Sequence, residues 1–386
     1  MMSKIRICDI AEQVRGVSYK PCDIHSELNE SSVMLLRANN ISDGKINFDD
    51  VVYVDKSRVS QKQFLRRGDI LVCASSGSKD LVGKAASIDF DTECTFGAFC
   101  KAVRPNAEYA DYLGVYFQSN AYRRKIFDVA IGANINNIKN EHIDLLEIPT
   151  YDKIYTEQFI AQITNIQNVI DCRKKQLAKL DELVKARFVE MFGDPETNPK
   201  GFKKVLLSDI AEYFNGLTYS PDNVNSDGTI VLRSSNIQNS QLDFADTVRV
   251  DCSIKEKLYV KDNDILMCSR NGSARLVGKV ALIKNITEPM SFGAFMMIIR
   301  SKYYSYLMTY FQMEAFRRQI STGATTTINQ ITGNMLNKIT LPLPDMSEAK
   351  QFAAFVEQVD KSKIAVQKAL DEAQILFDSL MQQYFG

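Results

Sequence analysis

The chain has 386 residues, 45% of them apolar and 24% charged, and its 47 basic and 47 acidic side chains give a formal net charge of zero. Such proportions exclude a disordered or fibrous chain, and the length allows two domains or more, each with its own core. The balanced charge provides no global attraction to a polyanion, so any such partner has to be met by local patches.

In chain order, short apolar runs come first: IRICDI (5–10), VMLLRA (33–38), VVYV (51–54), DILVC (69–73) and AASIDF (85–90), separated by Gly, Asn and Asp turns. They predict strands. A helical stretch is expected from about Asp111 to Ala130, then a Gly-led segment, GANINNI (132–138), and a short strand ending at Pro149. From Phe159 a new pattern begins, with spacings alternating between four and three through Ile163, Ile166, Ile170, Arg173, Leu177, Leu180, Val184, Arg187 and Met191. Eight of those ten positions are apolar, and the other two are long Arg side chains. A 3.5-residue period sustained this long keeps one seam facing a partner helix and predicts a coiled coil, the alternative being one amphipathic helix on a globular core. Pro195, Pro199 and Gly201 in GDPETNPKGF (193–202) stop that helix.

The rest of the chain repeats the first part. CDIAE (8–12) returns as SDIAE (208–212), LLRANNI (35–41) as VLRSSNI (231–237), GDIL (68–71) as NDIL (263–266), LVGK (81–84) as LVGK (276–279) and FGAF (96–99) as FGAF (292–295). YFQSNAYRRKI (116–126) recurs as YFQMEAFRRQI (310–320) with seven of eleven positions identical. The second helical stretch is expected at about Tyr303 to Thr322, followed by GATTTINQI (323–331) and a strand ending at Pro342. Its heptad reads Phe352, Val356, Val359, Lys363, Val366, Leu370, Ala373, Phe377, Leu380 and Tyr384. The chain is therefore a tandem duplication of an α+β module followed by a long helix. The two helices are natural antiparallel partners for each other, and about 39 helical residues at about 1.5 Å each would make a rod of about 58 Å. Arg173, Arg187 and Lys363 interrupt the seam, where a polar side chain either fixes register or reaches out to solvent.

SSGSKDLVGKA (75–85) and RNGSARLVGKV (270–280) look like phosphate-binding loops but fail the requirement in the same way twice. Gly77 and Gly83, like Gly272 and Gly278, are separated by five residues instead of four, and Lys84 and Lys279 are followed by Ala85 and Val280, which have no hydroxyl for Mg²⁺. No nucleotide, metal or other cofactor is expected. None of the eight cysteines forms a C-x-x-C pair, and no signal peptide or long apolar run opens the chain, so a reduced, cytoplasmic protein without a membrane segment is expected. Cys73 and Cys268 end probable buried strands, which makes them small apolar side chains, and His25 and His142 read as surface or loop residues.

Two related heads at a fixed separation suit an extended polymer such as duplex DNA, whose helical turn is about 34 to 36 Å, so that such a rod, when tilted, could place the heads on grooves one to one and a half turns apart. The order of module, long helix, MFGDPETNPKGF linker (191–202), second module and second helix resembles the specificity subunit of type I restriction-modification enzymes, and the likeness covers essentially the whole chain. No single motif is very specific, but the GDP-x-T-N-P-K-G linker combined with the duplication is. The resemblance implies target recognition domains at 1–150 and 204–346, each reading half of a split double-stranded DNA target. Spacer helices at 151–192 and 347–386, joined through a linker at 193–203, would set the spacing and dock two methylation subunits, with restriction subunits in the full complex. The chain holds no N-P-P-Y-type methyltransferase motif and is expected to be catalytically inert alone. Two alternatives compete with this reading: a coiled-coil scaffold whose heads bind proteins, and an enzyme such as a nucleotide hydrolase.

Base edges and phosphates are met by Arg, Lys, Asn, Gln, Ser and Thr. The candidate DNA contacts of those types are Ser75, Ser76, Ser78 and Lys79 in the first loop and Ser269, Arg270, Asn271, Ser273 and Arg275 in the second, where a solvated hairpin is the bland alternative. Lys84 and Lys279 at the ends of the shared LVGK are candidates for phosphate. Arg37, Asn39 and Asn40, with Arg233, Ser235 and Asn236, follow a strand and either face a groove or cap a turn, so Arg37, Asn39, Arg233 and Asn236 are counted as candidates. Asn134 stands for the Asn- and Thr-rich segments, which suit bases or a methylation subunit. The pairs Arg123–Arg124 and Arg317–Arg318 either hold phosphate or make ion pairs within the protein.

Overall fold

The computed structural model describes residues 3–78, 81–91, 93–132, 137–321 and 330–386, with backbone only at 129–132. It divides into two compact units, Met1–Lys174 with Lys368–Gly386, and Lys175–Gln367. Each unit contains one α+β module and one half of each long helix.

In the first unit an antiparallel sheet runs in the order Ala11–Arg15, Cys100–Pro105, Ile70–Cys73, Ala85–Ser87. A second sheet runs Cys94–Phe96, Ser32–Leu36, Val52–Asp55, Ile24–His25, with its first pair parallel. The second unit repeats this: Glu212–Asn215, Met296–Arg300, Ile265–Cys268 and Val280–Leu282 form the antiparallel sheet, and Val248–Val250, Val224–Leu232 and Met290–Phe292 the other. The apolar runs at 70–73 and 265–268 are buried at every position, which is why they are continuous and not alternating. A two-stranded ladder closes each module, pairing Ser3–Arg6 with Glu147–Thr150 and Lys204–Leu206 with Thr340–Pro342. The Pro149 and Pro342 carbonyls accept the hydroxyls of Tyr112 and Tyr306, so the strand ends are tied to the module helices.

Two expectations are corrected. IRICDI is not one strand: its second half, Ile7–Ile10, is a single helical turn. The helical stretch in each module is two helices, Ala110–Tyr116 then Asn120–Gly132, and Tyr304–Tyr310 then Glu314–Ser321. The break falls after Phe117 and Phe311, both buried, where the N–H groups of Phe117 and Gln118, and of Phe311 and Gln312, close the first helix of each pair. In the first module Ser119 then accepts the N–H of Tyr122 through its hydroxyl.

The long helices are Lys153–Phe192 and Met346–Phe385. In the first unit Phe159, Ile163 and Ile170 pack with Phe377, Met381, Tyr384 and Phe385; the Phe159 and Tyr384 rings stack at 3.7 Å between centroids. In the second unit Phe188 and Phe192 meet Phe352 and the module's Tyr306. The start of one helix thus meets the end of the other in each unit, the antiparallel pairing the heptads predict. The polar seam residue Lys363 forms an ion pair with Asp181 at 2.5 Å, and Arg187 lies over the Phe355 ring while pairing with Glu190. Near the helix ends, however, the buried knobs include Phe188, Phe192, Met381 and Phe385, one position beyond the heptad series. An α-helix turns every 3.6 residues, so a 3.5-residue template drifts off the buried face, and the modules supply the opposing surface, Tyr306 against Phe188 and Phe192, and Tyr112 and Tyr116 against Phe385.

Candidate nucleic-acid interface

Both loops emerge from the buried strands 70–73 and 265–268, and their bases are fixed by backbone bonds. The N–H groups of Ala74 and Ser75 both donate to the Phe99 carbonyl, at 2.9 and 3.0 Å. Those of Ser269 and Arg270 donate to Phe295 at 3.0 and 3.1 Å. On the other side, Ser75 bridges antiparallel to Asn137, and Arg270 to Gln330. The loop at 75–78 or 270–275 and the end of the Asn- or Thr-rich segment, some 60 residues apart in sequence, therefore share one ladder in each unit. At the tip the Ser76 hydroxyl accepts the Ser78 N–H at 3.2 Å, and the Asn271 carboxamide accepts the Ser273 N–H at 2.9 Å. Two different side chains thus make the same local turn.

The LVGK sequence is a return turn. Gly83 and Gly278 have φ of +80° and +81°, which favours glycine. Their N–H groups donate to Cys73 and Cys268, and those of Lys84 and Lys279 donate to Leu81 and Leu276, so the amides that a phosphate cradle would need are committed to carbonyls. Arg123 and Arg317 clamp the turn by donating to the Val82 and Val277 carbonyls at 2.9 and 2.8 Å. Arg124 bonds to Gln382, and Arg318 holds Glu196 of the linker through two bonds of 3.0 and 2.8 Å. All four arginines are engaged within the protein.

Lys84 lines a cleft of about 550 Å³ between the hairpin at 41–46 and the long helices of the first unit. Other charges there are paired, Lys45 with Asp171 and Lys174 with Asp43. Lys279 directs its ammonium toward the Ile237 carbonyl, 3.5 Å away.

Arg37 and Asn39 both bond to the Asp50 carboxylate at 2.8 Å, and Arg233 bonds to Asp246 at 2.8 Å. Asn40 and Asn236 are buried; each accepts the N–H of its preceding Arg and donates to two loop carbonyls, the turn-capping arrangement. In the second unit Asn271 donates to the Ser234 hydroxyl at 3.3 Å, which joins this loop to the loop at 270–275. Ser269 is buried with its hydroxyl on the Phe295 carbonyl, whereas Arg270, Ser273 and Arg275 are exposed. In the first unit Ser75 and Ser76 are half-buried and Ser78 exposed. Lys79 and Asn134 lie outside the described residues.

Burial pushes the Cys73 and Cys268 thiols above the ordinary cysteine value, and each donates to a loop carbonyl, so both are protonated and unreactive at neutral pH. His25 lies in a short strand and His142 in the helical turn Asn140–Asp144. No group of three His, Cys, Asp or Glu side chains suited to a metal occurs among the described residues, and no described helix is long and apolar enough to cross a membrane.

The family model for the type I restriction modification DNA specificity domain matches residues 199–374. The chain is 28% identical to the type I restriction enzyme EcoKI specificity subunit of Escherichia coli K12, an alignment covering 97% of this chain and 86% of that one. It is also 28% identical to the StySPI specificity subunit of Salmonella potsdam, over 98% and 87% of the two chains. Along nearly its whole length the chain is similar to type I restriction-modification specificity subunits. The fold agrees: the crystal structure of the S subunit from M. genitalium aligns over 100% of this chain and 96% of that chain with a TM-score of 0.55, at 13% identity.

One feature of the loop bases is invisible to a search for polar side chains. Phe99 and Phe295, whose carbonyls hold the loops, have rings 71% and 60% exposed. The repeated FGAF was the available signal, since its first Phe is fully buried in both copies while its last is not.

Proposed function

We propose that this chain selects the DNA sequence acted on by a type I restriction-modification system, each unit's loop cluster reading one half of a bipartite double-stranded target. On this reading the long helices set the spacing between half-sites and dock two methylation subunits, restriction subunits complete the assembly, and the complex works in the cytoplasm. Residues 1–150 and 204–346 are then the target recognition domains, with the helices at 151–192 and 347–386 and the linker at 193–203. The reading-loop side chains Ser75, Ser76, Ser78 and Lys79, with Arg270, Asn271, Ser273 and Arg275, are the primary DNA contacts, supported by Arg37, Asn39, Asn134 and Arg233. Lys84 and Lys279 are the weaker assignments, since one lines the helix cleft and the other faces a carbonyl. Ser269 and Asn236 would support the loops instead of touching bases, because both are buried with their polar atoms bonded.

The observation that carries this reading is the pair of loop clusters built on one backbone plan with different side chains at their tips, in a chain aligned along 97% of its length with a specificity subunit. Shared framework with variable tips is what reading two different half-sites requires. Neither the curated relatives nor the family model favours a scaffold whose heads bind proteins. The test is to co-express the chain with the methyltransferase encoded beside its gene and map methylated positions. Replacing residues 1–150 with the matching module of another member should change one half of the methylated sequence and leave the other half and the gap intact. An unchanged sequence after the swap rules the reading out.

A further inference from the structure

We propose that Phe99 and Phe295 are base-contacting side chains, each ring packing against bases of the half-site its own unit reads, with the residue at 75 or 270 as its variable neighbour. This deepens the recognition reading and rests on it. Within FGAF, Phe96 and Phe292 are fully buried and contribute to the cores, whereas Phe99 and Phe295 stand 71% and 60% exposed. A single exposed apolar side chain needs no explanation, but these two are the most exposed phenylalanines among the described residues and sit at the same turn in both units.

The backbone beneath the ring is immobilised on every side. Cys100 closes a turn onto Gly97 at 2.8 Å, Gly97 donates to Leu36 at 2.9 Å, Val17 donates to Phe96 at 2.7 Å, and the Phe99 carbonyl takes both loop amides. The second unit repeats each bond, with Met296 to Gly293 at 2.8 Å, Gly293 to Leu232 at 2.9 Å and Leu217 to Phe292 at 2.7 Å. Gly16 and Gly216 press so closely on this turn that an added Cβ would fall 2.1 Å from the Gly97 or Gly293 oxygen. The turn cannot fold back to hide its ring. It presents an apolar surface in a fixed place, which lowers the ordering cost of a contact made through it.

The surroundings indicate what that contact is. The backbone of Ser75 is bonded to the Phe99 carbonyl, with Ser76 next in the chain; beside Phe295 lies Arg270, whose guanidinium sits 5.7 Å from the ring centroid, followed by Asn271. A protein-binding hot spot would set a central aromatic among further apolar side chains. An exposed ring on a loop whose neighbours are Ser75 and Ser76, or Arg270 and Asn271, with the Tyr19 ring against the same turn in the first unit, suits a partner that is apolar on its bases and polar on their edges and phosphates. The ring is then the constant anchor, and the residue at position 75 or 270, bonded to its carbonyl, is where the two units differ.

The test uses the complex with its methylation subunits. The probes are duplexes bearing the mapped target, the same duplexes with one abasic position at a time, and a random duplex. Phe99→Ala should weaken target binding about 10- to 100-fold, the range of one lost base contact, without altering random-duplex affinity or the slope of log affinity against log salt. It should also abolish the penalty of one abasic position in the first half-site only, with Phe295→Ala doing the same in the second. Undiminished target binding by Phe99→Ala, an equal loss on random duplex, or loss of co-purifying methylation subunit would each overturn the proposal while leaving sequence recognition standing. A wild-type complex that fails to distinguish target from random duplex would instead sink the recognition reading itself.

Discussion

Where the first unit places Lys101 in its central strand, the second places Met297, and both side chains are nearly inaccessible to water. Lys101 reaches the Asn140 carboxamide at 2.6 Å, but burial and the nearby Arg15 hold its ammonium well below the ordinary lysine value of 10.5, at about 8. Tyr122 in the first unit is Phe316 in the second, and the Tyr122 hydroxyl is buried with no hydrogen-bond partner. Tyr116 also has an unpartnered hydroxyl, while its counterpart Tyr310 accepts an amide proton from Gln319 at 2.8 Å. The two units share a plan but place their unmet polar groups differently: at these three positions the second has hydrocarbon or a satisfied hydrogen bond, while it buries the Tyr213 and Ser305 hydroxyls without a partner instead. Burying an unmet polar group costs stability.

The largest effect that would sharpen this comparison involves the ion pair both units keep. Arg104 grips Asp69 through bonds of 2.9 and 2.7 Å, and Arg300 grips Asp264 through 2.7 and 2.6 Å, with both carboxylates buried. Asp69→Ala leaves a guanidinium only 10% exposed with Glu12, 3.8 Å away, as its remaining carboxylate and should cost about 3 kcal/mol, the low end for a broken buried pair, whereas Asp264→Ala leaves one that is 24% exposed and should cost less. Amide exchange of strand 70–73 against strand 265–268 in the two variants measures the difference, and equal losses would contradict it.

Next comes the return turn. An alanine Cβ at Gly83 would fall 2.6 Å from the Ile126 side chain, but at Gly278 no nearer than 3.2 Å to Arg317. Both substitutions pay about 1–2 kcal/mol for the positive φ, and Gly83→Ala should lose about 1 kcal/mol more through overpacking. Urea midpoints for the two variants decide this.

The third prediction concerns pH. Lys101 binds its proton less tightly folded than unfolded, so between about pH 8 and 10.5 the unfolded chain carries more protons and the first unit gains stability as pH rises. Below about pH 8 the penalty is fully present. Lys101→Met, copying the second unit, should raise first-unit stability at pH 7 and flatten that rise, as thermal unfolding at a series of pH values would show. The smallest effect is expected of Tyr122→Phe, neutral to about 1 kcal/mol stabilising; a clear loss of stability would show that the hydroxyl has a partner after all.

Much of the fold was legible because it is local or repeated. The strands at 70–73 and 265–268 are unbroken apolar runs, and the long helices announce themselves by period. The helix breaks at Phe117 and Phe311 were not legible, since FQSN and FQME contain no Gly or Pro and the interruption follows from burying both rings. At the candidate site, the reading loops stood out through composition, whereas the bridges Ser75–Asn137 and Arg270–Gln330 are long-range pairings that no local pattern encodes. Arg123 and Arg317 illustrate the same limit: a basic pair on a helix reads equally as a phosphate clamp or an internal strut, and only the Val82 and Val277 carbonyls settle it as a strut.

The division of each long helix between the units has a consequence for synthesis. Tyr384 stacks on Phe159, Phe385 meets Tyr112 and Tyr116, and Phe377 and Met381 complete the same cluster, all within the first unit. Those four residues follow the whole second unit in the chain. At roughly 5–20 residues per second on the ribosome, the module translated first waits about 10–40 seconds between its own last strand at 150 and the arrival of residues 368–386. Until then an aromatic face around Tyr112 and Tyr116 is open. A premature stop near residue 367 would therefore injure the beginning of the protein, and the nascent chain offers chaperones a binding surface at its oldest end.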